Sequence, residues 1–101
     1  MAAQMTFAEF EHSMIANEPP AQLGAALLAL WHDGRGDWAA AHETVQAETS
    51  REAAWVHAYL HRKEGDPGNA RYWYARAGRP PHDGDVADEW RRIARSLCGE
   101  R

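Results

Sequence analysis

Apolar residues recur every three or four positions through most of the chain, and short runs rich in Gly, Pro and Asp interrupt them. This spacing predicts amphipathic helices separated by turns. Thr6 followed by Glu9 is a capping-box pattern, and the apolar stripe after it predicts a first helix that ends before Glu18-Pro19-Pro20. Pro20 is expected to open a second helix, apolar on more than one side, that ends at Asp33-Gly34-Arg35-Gly36.

Four further helices are predicted from cap residues and apolar stripes. Asp37 and Ser50 are expected to cap the third and fourth helices, because their side-chain oxygens can accept from the unpaired N–H groups of a first turn. A fifth helix is predicted from Pro67 to about Ala77, and a last one after Asp85. No stretch alternates like a β-strand, so the sequence predicts one all-α domain of about six helices over residues 1–101.

The stretch from Ser50 to Pro81 is expected to form the centre of this fold, as two helices joined by a sharp corner. At the corner, Gly65 can adopt a positive φ at the end of one helix, and Asp66 can cap the next. The same Gly-Asp pair occurs earlier as Gly36-Asp37, 29 residues before (from 36 to 65). The chain therefore contains two related helical hairpins.

The repeat resembles the tetratricopeptide (TPR) hairpin, which has a small residue in its first helix, Gly-Asp at the turn, and an Ala and an aromatic residue in its second helix. The second copy matches this pattern at Ala58, Gly65-Asp66, Ala70, Tyr74 and Ala77, and the first copy at Ala29, Gly36-Asp37 and Ala41. The resemblance implies two TPR-like hairpins flanked by an N-terminal and a C-terminal helix. The chain departs from the TPR pattern in two respects. Its period is 29 residues and not the usual 34, and His32 and His61 stand where the family has a packing aromatic residue. The second hairpin also resembles small bacterial proteins, which implies no function.

Charge is distributed unevenly along the chain, whose net charge is −4. The first fifty residues contain one basic and seven acidic residues, whereas the segment from Arg51 to Arg79 contains six basic and three acidic ones. This contrast indicates either attraction within the fold or an anion-binding face on the second hairpin.

His57, His61 and Glu64 lie at i, i+4 and i+7 of the predicted fourth helix. Two histidines four residues apart can chelate a metal ion, and His32 or His42 of the first hairpin could join them. The repeat places His61 at a packing position, so the prediction is that the histidines are structural and that the chain has no metal or other cofactor. A metal site formed by His57, His61 and Glu64 is the alternative.

Aromatic and basic residues coincide on the second hairpin. In TPR-like folds the first helix of each hairpin lines a groove, which implies that Trp55, Tyr59, Arg62 and Lys63 face it. With Arg71 and Tyr72, they are predicted to bind an acidic or extended segment of another protein.

The predicted function is thus a non-enzymatic, cytoplasmic protein-interaction module, and a homo-oligomer is a further expectation. Nucleic acid is not expected as a partner because the pI is about 5.8, and no apolar run is long enough to span a membrane. The first residues lack the basic and apolar regions of a signal peptide. The single cysteine, Cys98, excludes an internal disulfide, and no catalytic residue is predicted. The alternative is a small metal- or ligand-binding protein, which could also be an enzyme, using His57, His61 and Glu64.

Overall fold

A computed structural model describes residues 5–99 and contains six α-helices. They are α1 (Phe7–His12), α2 (Ala25–Gly34), α3 (Trp38–Gln46), α4 (Arg51–Lys63), α5 (Pro67–Ala77) and α6 (Val86–Leu97), and a short 3₁₀ helix over Ser13–Ile15 follows α1. No strand occurs within residues 5–99, which confirms the predicted all-α fold of about six helices. No helix in this range is both long and apolar enough to cross a membrane.

Most of the helices begin and end where the sequence predicts. The capping box of α1 is complete, and the side chains of Asp37 and Ser50 accept hydrogen bonds from the first turns of α3 and α4. Between α4 and α5, Gly65 has a φ of +90° and Asp66 accepts from the backbone N–H of Asn69. A side chain at Gly65 would be strained at this φ, so the corner favours glycine.

The start of α2 differs from the prediction, because the helix begins at Ala25 and not at Pro20. Gln22 has a φ of +69°, which lies outside the range of a right-handed helix, so the chain turns before the helix can start. Leu23 lies in this turn and packs against the core. At α6, Asp85 stands at the predicted N-cap, but its side chain accepts no capping hydrogen bond.

The helices form two hairpins, α2 with α3 and α4 with α5, and α4 also contacts α2, α3 and α6. The main core includes Phe10, Leu30 and Ile93, which are fully buried. α6 packs on both α2 and α4, and the indole N–H of its Trp90 donates to the carbonyl of Leu30 at 3.0 Å. One helix of each hairpin is therefore covered by the C-terminal helix.

Small residues lie inside each hairpin. Ala58 of α4 and Ala70 of α5 are buried together with Tyr74, and Ala29 and Ala41 are fully buried in α2 and α3. Larger side chains at these positions would push the paired helices apart.

We expect Ala58→Leu or Ala70→Leu to lower the free energy of unfolding by about 1–3 kcal/mol, because the added methylenes overpack the contact between α4 and α5. Urea denaturation followed by circular dichroism measures this change. Ala75 is an exposed position of α5, so Ala75→Leu is the matched control and should stay within about 0.5 kcal/mol of the parent. Unchanged stability in both buried variants would contradict close packing at these alanines.

Candidate metal centre

Three histidines, His42, His57 and His61, meet between α3 and α4, and we call them the histidine cluster. His57 and His61 lie four residues apart on α4 and therefore share one face of that helix. His42 lies on α3, which packs directly against α4. One nitrogen from each imidazole lies within 4.8 Å of the corresponding nitrogens of the other two.

The closest nitrogens in the cluster are Nε2 of His42 and Nε2 of His57, which are 3.2 Å apart. The rings of His57 and His61 are stacked, with centroids 4.8 Å apart. The ring of His42 lies edge-on to both of them. The three imidazoles therefore surround one small volume between the two helices.

Two tryptophans fix the ring planes of the cluster. Trp38 of α3 lies parallel to His42, with an interplanar angle of 7° and centroids 4.9 Å apart. Trp73 of α5 lies against His57, with an interplanar angle of 15° and centroids 3.9 Å apart. Trp38 is held in turn, because its indole N–H donates to the carbonyl of Leu60 at 2.8 Å. Packing of this kind restricts side-chain rotation and holds a site ready for a ligand.

Glu64 orients the third imidazole, because its Oε2 lies 2.6 Å from Nδ1 of His61. An ionised carboxylate can only accept, so Nδ1 of His61 is the donor and Nε2 is the nitrogen that would serve as a metal ligand. Metal-binding histidines commonly use their second nitrogen in this way, and the hydrogen bond raises the basicity of the ligand nitrogen.

Burial keeps His57 and His42 neutral near pH 7. His57 is only 4% exposed, and this burial is the main cause that lowers its pKa to about 4, with smaller effects from His61 and His42. The pKa of His42 is also lowered. Burial is the main cause and the neighbouring His61 is a smaller one, whereas Glu64 acts in the opposite direction. Neutral imidazole is the form of histidine that binds metal ions.

One buried atom of the cluster is unpaired: Nδ1 of His57 has no hydrogen-bond partner among residues 5–99. Leaving a buried polar atom unpaired costs about 1–3 kcal/mol. His57 therefore has one ring nitrogen at hydrogen-bond distance from His42 and one without a partner, an arrangement that a phenylalanine stacked on Trp73 would not give.

The spacing of the nitrogens is close to that around a tetrahedral metal ion. Zinc–nitrogen bonds of about 2.0–2.1 Å place two ligand nitrogens about 3.3 Å apart in this geometry. Nε2 of His42 and Nε2 of His57, which are at a hydrogen-bond distance of 3.2 Å, have nearly this spacing, and a nitrogen of His61 lies within 4.8 Å of a nitrogen of each. Three histidine ligands would leave a fourth position for water or another molecule.

The third ligand of this set differs from the one that the sequence spacing suggests. Glu64 bonds the Nδ1 of His61, and His42 takes the third place beside His57 and His61. His32 does not join them.

His32 and a second set of possible ligands lie outside the histidine cluster. The ring of His32 lies edge-on to Trp31, with centroids 5.3 Å apart. His61, Glu64 and Asp66 form a second set with ligand atoms within 4.8 Å of one another, but its two carboxylates are exposed, and Asp66 is also the cap of α5. The histidine cluster is the more buried and more constrained of the two sets.

The prediction that Tyr59 lies on an exposed binding strip is wrong, because its side chain is 2% exposed. Its hydroxyl donates to Oδ2 of Asp33 at 2.6 Å. Burial and this hydrogen bond raise the pKa of Tyr59, so the hydroxyl stays protonated. The physical reason is tertiary: α2 and α6 cover faces of α4 that an open TPR-like groove would leave accessible.

Arg62 and Lys63 are engaged within the fold. Arg62 pairs with Glu89 at 3.0 Å and also donates to the carbonyl of Gly84, and Lys63 pairs with Asp33 at 2.9 Å. Both carboxylates are almost fully buried, so removing either cation would leave a buried charge unpaired, which is strongly destabilising. The side chain of Lys63 is nevertheless 39% exposed and that of Arg62 21% exposed, and binding of a partner through them stays a prediction.

The other predicted partner-binding residues lie on α4 and α5. Trp55 is half-buried, and the guanidinium of Arg79 lies 4.0 Å from the centroid of its ring. Arg71 and Tyr72 are exposed on α5, where the hydroxyl of Tyr72 accepts from Arg76 at 3.1 Å. The strip predicted along α4 from Trp55, Tyr59, Arg62 and Lys63 is interrupted, because Tyr59 is buried.

Sequence reasoning missed several residues that shape the site. Trp38 and His42 lie four residues apart on α3, and this spacing was the available signal for a stacked pair. Trp73, Asp33 and Glu89 were not predicted as site residues. No local pattern distinguishes a buried carboxylate such as that of Asp33 or Glu89 from an exposed one.

We expect the metal-free protein, measured in EDTA, to lose stability as the pH falls from about 6.5 to about 4. Unfolded His57 would take up a proton below its ordinary pKa of 6.5, whereas the folded residue resists protonation until about pH 4. The contribution of His57 is at most about 3 kcal/mol over this range. Urea denaturation at several pH values measures it.

The matched variants for this experiment are His57→Phe, which keeps the stacking on Trp73, and His12→Phe at an exposed position. The loss of stability in acid should be smaller in His57→Phe and unchanged in His12→Phe. An identical pH dependence in His57→Phe and the parent would show that His57 is not held neutral by the fold.

No family model matches the chain, and searches of curated proteins and of solved structures gave no significant match. The TPR-like assignment therefore stays a prediction, and the geometry of the histidine cluster is the main evidence that bears on function.

Proposed function

We propose that this chain binds a divalent transition-metal ion through His42, His57 and His61. The observation that carries this proposal is the convergence of three imidazole nitrogens, one from each residue, within 4.8 Å between α3 and α4. Imidazole ligands suit Zn²⁺, Cu²⁺ and Ni²⁺, and three histidines with one open position are a known arrangement for zinc.

The surroundings of the cluster support a ligand role. Glu64 accepts from Nδ1 of His61 and so leaves Nε2 as the nitrogen that would serve as a metal ligand, and Trp38 and Trp73 restrict the rotation of His42 and His57. The tryptophans also exclude water from parts of the site, which strengthens the interaction between an ion and its ligands.

A metal ion at this site would join the two hairpins, because His42 belongs to α3 and the other two ligands belong to α4. The complete ligand set exists only when α3 and α4 are packed together. Binding would therefore stabilise the folded state, by about 2.7 kcal/mol at a free-ion concentration one hundred times the Kd. The function supported best is a small metal-binding protein whose fold and metal content are coupled.

The cytoplasmic interaction module predicted from the sequence remains a separate prediction. Tyr59 is buried and Arg62 and Lys63 are paired with buried carboxylates, so the surface originally assigned to it is weakly supported. Metal binding rests on a more specific arrangement of side chains.

We expect the parent protein to bind about one Zn²⁺ per chain and to melt at a higher temperature when Zn²⁺ is present. His42→Ala should abolish this binding or weaken it by more than 100-fold, because one of three ligands is lost. Isothermal titration calorimetry measures the affinity, and quenching of tryptophan fluorescence by Cu²⁺ reports binding beside Trp38 and Trp73.

His32→Ala is the matched control, since His32 is also half-buried but lies outside the cluster. It should bind Zn²⁺ like the parent. His42 is the preferred target because it is less buried than His57 and His61, so its loss disturbs the core least. Equal affinities for the parent, His42→Ala and His32→Ala would place the metal elsewhere, and the absence of stoichiometric binding by the parent would refute the proposal.

A second variant tests the role of the carboxylate. Glu64→Gln should weaken Zn²⁺ binding by about 10–100-fold, because the amide no longer orients His61 as a charged acceptor. Asp66→Asn keeps a good helix cap and should leave the affinity unchanged. A loss of affinity in Asp66→Asn similar to that in Glu64→Gln would instead assign the ion to the exposed set of His61, Glu64 and Asp66.

A further inference from the structure

Three arginines from separate parts of the chain converge around Trp55. Arg51 begins α4, Arg79 follows α5, and Arg92 lies on α6. They line two adjoining hollows of about 290 and 410 Å³, and both hollows include Trp55 and Arg79. We call Trp55, Arg51, Arg79 and Arg92 the arginine–tryptophan face.

The guanidinium groups of the three arginines are accessible, and the acidic side chains of Glu52 and Asp83 line the same hollows. All three are exposed, and none forms a salt bridge or a side-chain hydrogen bond with another residue in the range 5–99. Arg62 and Lys63 differ in this respect, because Arg62 forms a salt bridge with buried Glu89 and Lys63 forms one with buried Asp33. Arg51, Arg79 and Arg92 are therefore exposed cations that share one surface with Trp55.

Arg79 is held in place without being neutralised. Gly78 ends α5 with a φ of +70°, and the backbone N–H of Arg79 donates to the carbonyl of Tyr74 at 3.1 Å. The guanidinium then lies over Trp55 at 4.0 Å from the ring centroid. Stacking of this kind uses the face of the guanidinium and leaves its N–H edge available to a carboxylate.

Arg51 stands at a position that does not favour its charge. It is the first residue of α4, where the positive end of the helix dipole makes a cation unfavourable by about 0.3–1 kcal/mol. The side chain reaches toward the end of α5, because its Nη1 would lie 3.9 Å from a Cβ built on Gly78. Its guanidinium lies beside the C-terminal end of α5, where the negative end of that helix dipole favours a cation, and the side chain remains exposed.

We propose that the arginine–tryptophan face binds an acidic segment of another protein in an extended conformation. The charge is complementary, since arginine can bond a carboxylate through two parallel N–H groups. Trp55, together with Pro80 at the wall of one hollow, can contact an apolar side chain between the acidic residues. This site is separate from the histidine cluster and does not depend on a bound metal.

A peptide fits this face better than a nucleic acid does. Glu52 and Asp83 also line the two hollows, and they would repel the continuous charge of a phosphodiester backbone. A peptide can place its carboxylates at the arginines and uncharged residues near Glu52 and Asp83. The net charge of −4 also disfavours non-specific attraction of nucleic acid.

The test uses the full chain and a fluorescein-labelled hexapeptide, Ac-EEPWEE, with Ac-QQPWQQ as its neutral counterpart. Fluorescence polarisation should show binding of the acidic peptide at least ten-fold tighter than that of the neutral one at low salt, and weaker binding as the salt concentration rises. Arg79→Gln combined with Arg92→Gln should reduce the affinity for the acidic peptide at least ten-fold.

The matched control combines Arg71→Gln with Arg91→Gln, which removes the same charge from exposed arginines that do not line these hollows. This variant should bind the acidic peptide within two-fold of the parent. The proposal is overturned if the acidic peptide does not bind, if it binds no better than the neutral one, or if both double variants lose affinity equally. Tighter binding of a twelve-residue oligothymidylate, dependent on Arg79 and Arg92, would overturn the choice of a peptide.

Discussion

Several polar side chains of α4 are paired inside the protein with residues of other helices, and much of the tertiary structure follows from this pairing. Tyr59 bonds Asp33 of α2, Arg62 pairs with Glu89 of α6, and His57 contacts His42 of α3. If one of these groups were buried without a partner, the loss in folding free energy would exceed the net stabilisation that a single hydrogen bond provides. The partners of α4 thus fix which helices can lie beside it.

The two buried carboxylates explain why the face of α4 beside α2 and α6 is not an open groove. Each one accepts from a tyrosine hydroxyl and pairs with a cation: Asp33 with Tyr59 and Lys63, and Glu89 with Tyr74 and Arg62. Charges at this depth are tolerated only when such bonds are complete. The interactions of Glu89 hold α6 against α4, and Arg62 and Lys63 both form salt bridges within the fold.

The opposite contacts of α4 have a different character. Toward α3 and α5 the helix presents imidazoles stacked on tryptophans, with one buried nitrogen unpaired. Side chains here are closely packed, but their hydrogen bonding is incomplete, which is the kind of exception that calls for an explanation such as a ligand. The same helix therefore combines a paired polar network on one side with stacked imidazoles on the other, and the proposed metal site lies on the second side.

The sequence alone determined the features that depend on neighbouring residues. The Gly65 corner, the Asp66 cap and the six-helix pattern were predictable, because a positive φ, a capping oxygen and an apolar stripe act over one or two helical turns. The early start predicted for α2 failed where a non-glycine residue, Gln22, adopts a positive φ.

Only the tertiary structure decided which residues distant in sequence meet. His42 completes the histidine cluster from another helix, and Tyr59 is buried although its position on α4 is compatible with an exposed face. Helical periodicity gives the angular position of a side chain, but the helix that packs against it is set by the burial of the whole core. For that reason the sequence showed the i, i+4 pair of His57 and His61 and offered His32 or His42 as a third member, whereas only the packing of α3 on α4 selects His42 and buries His57.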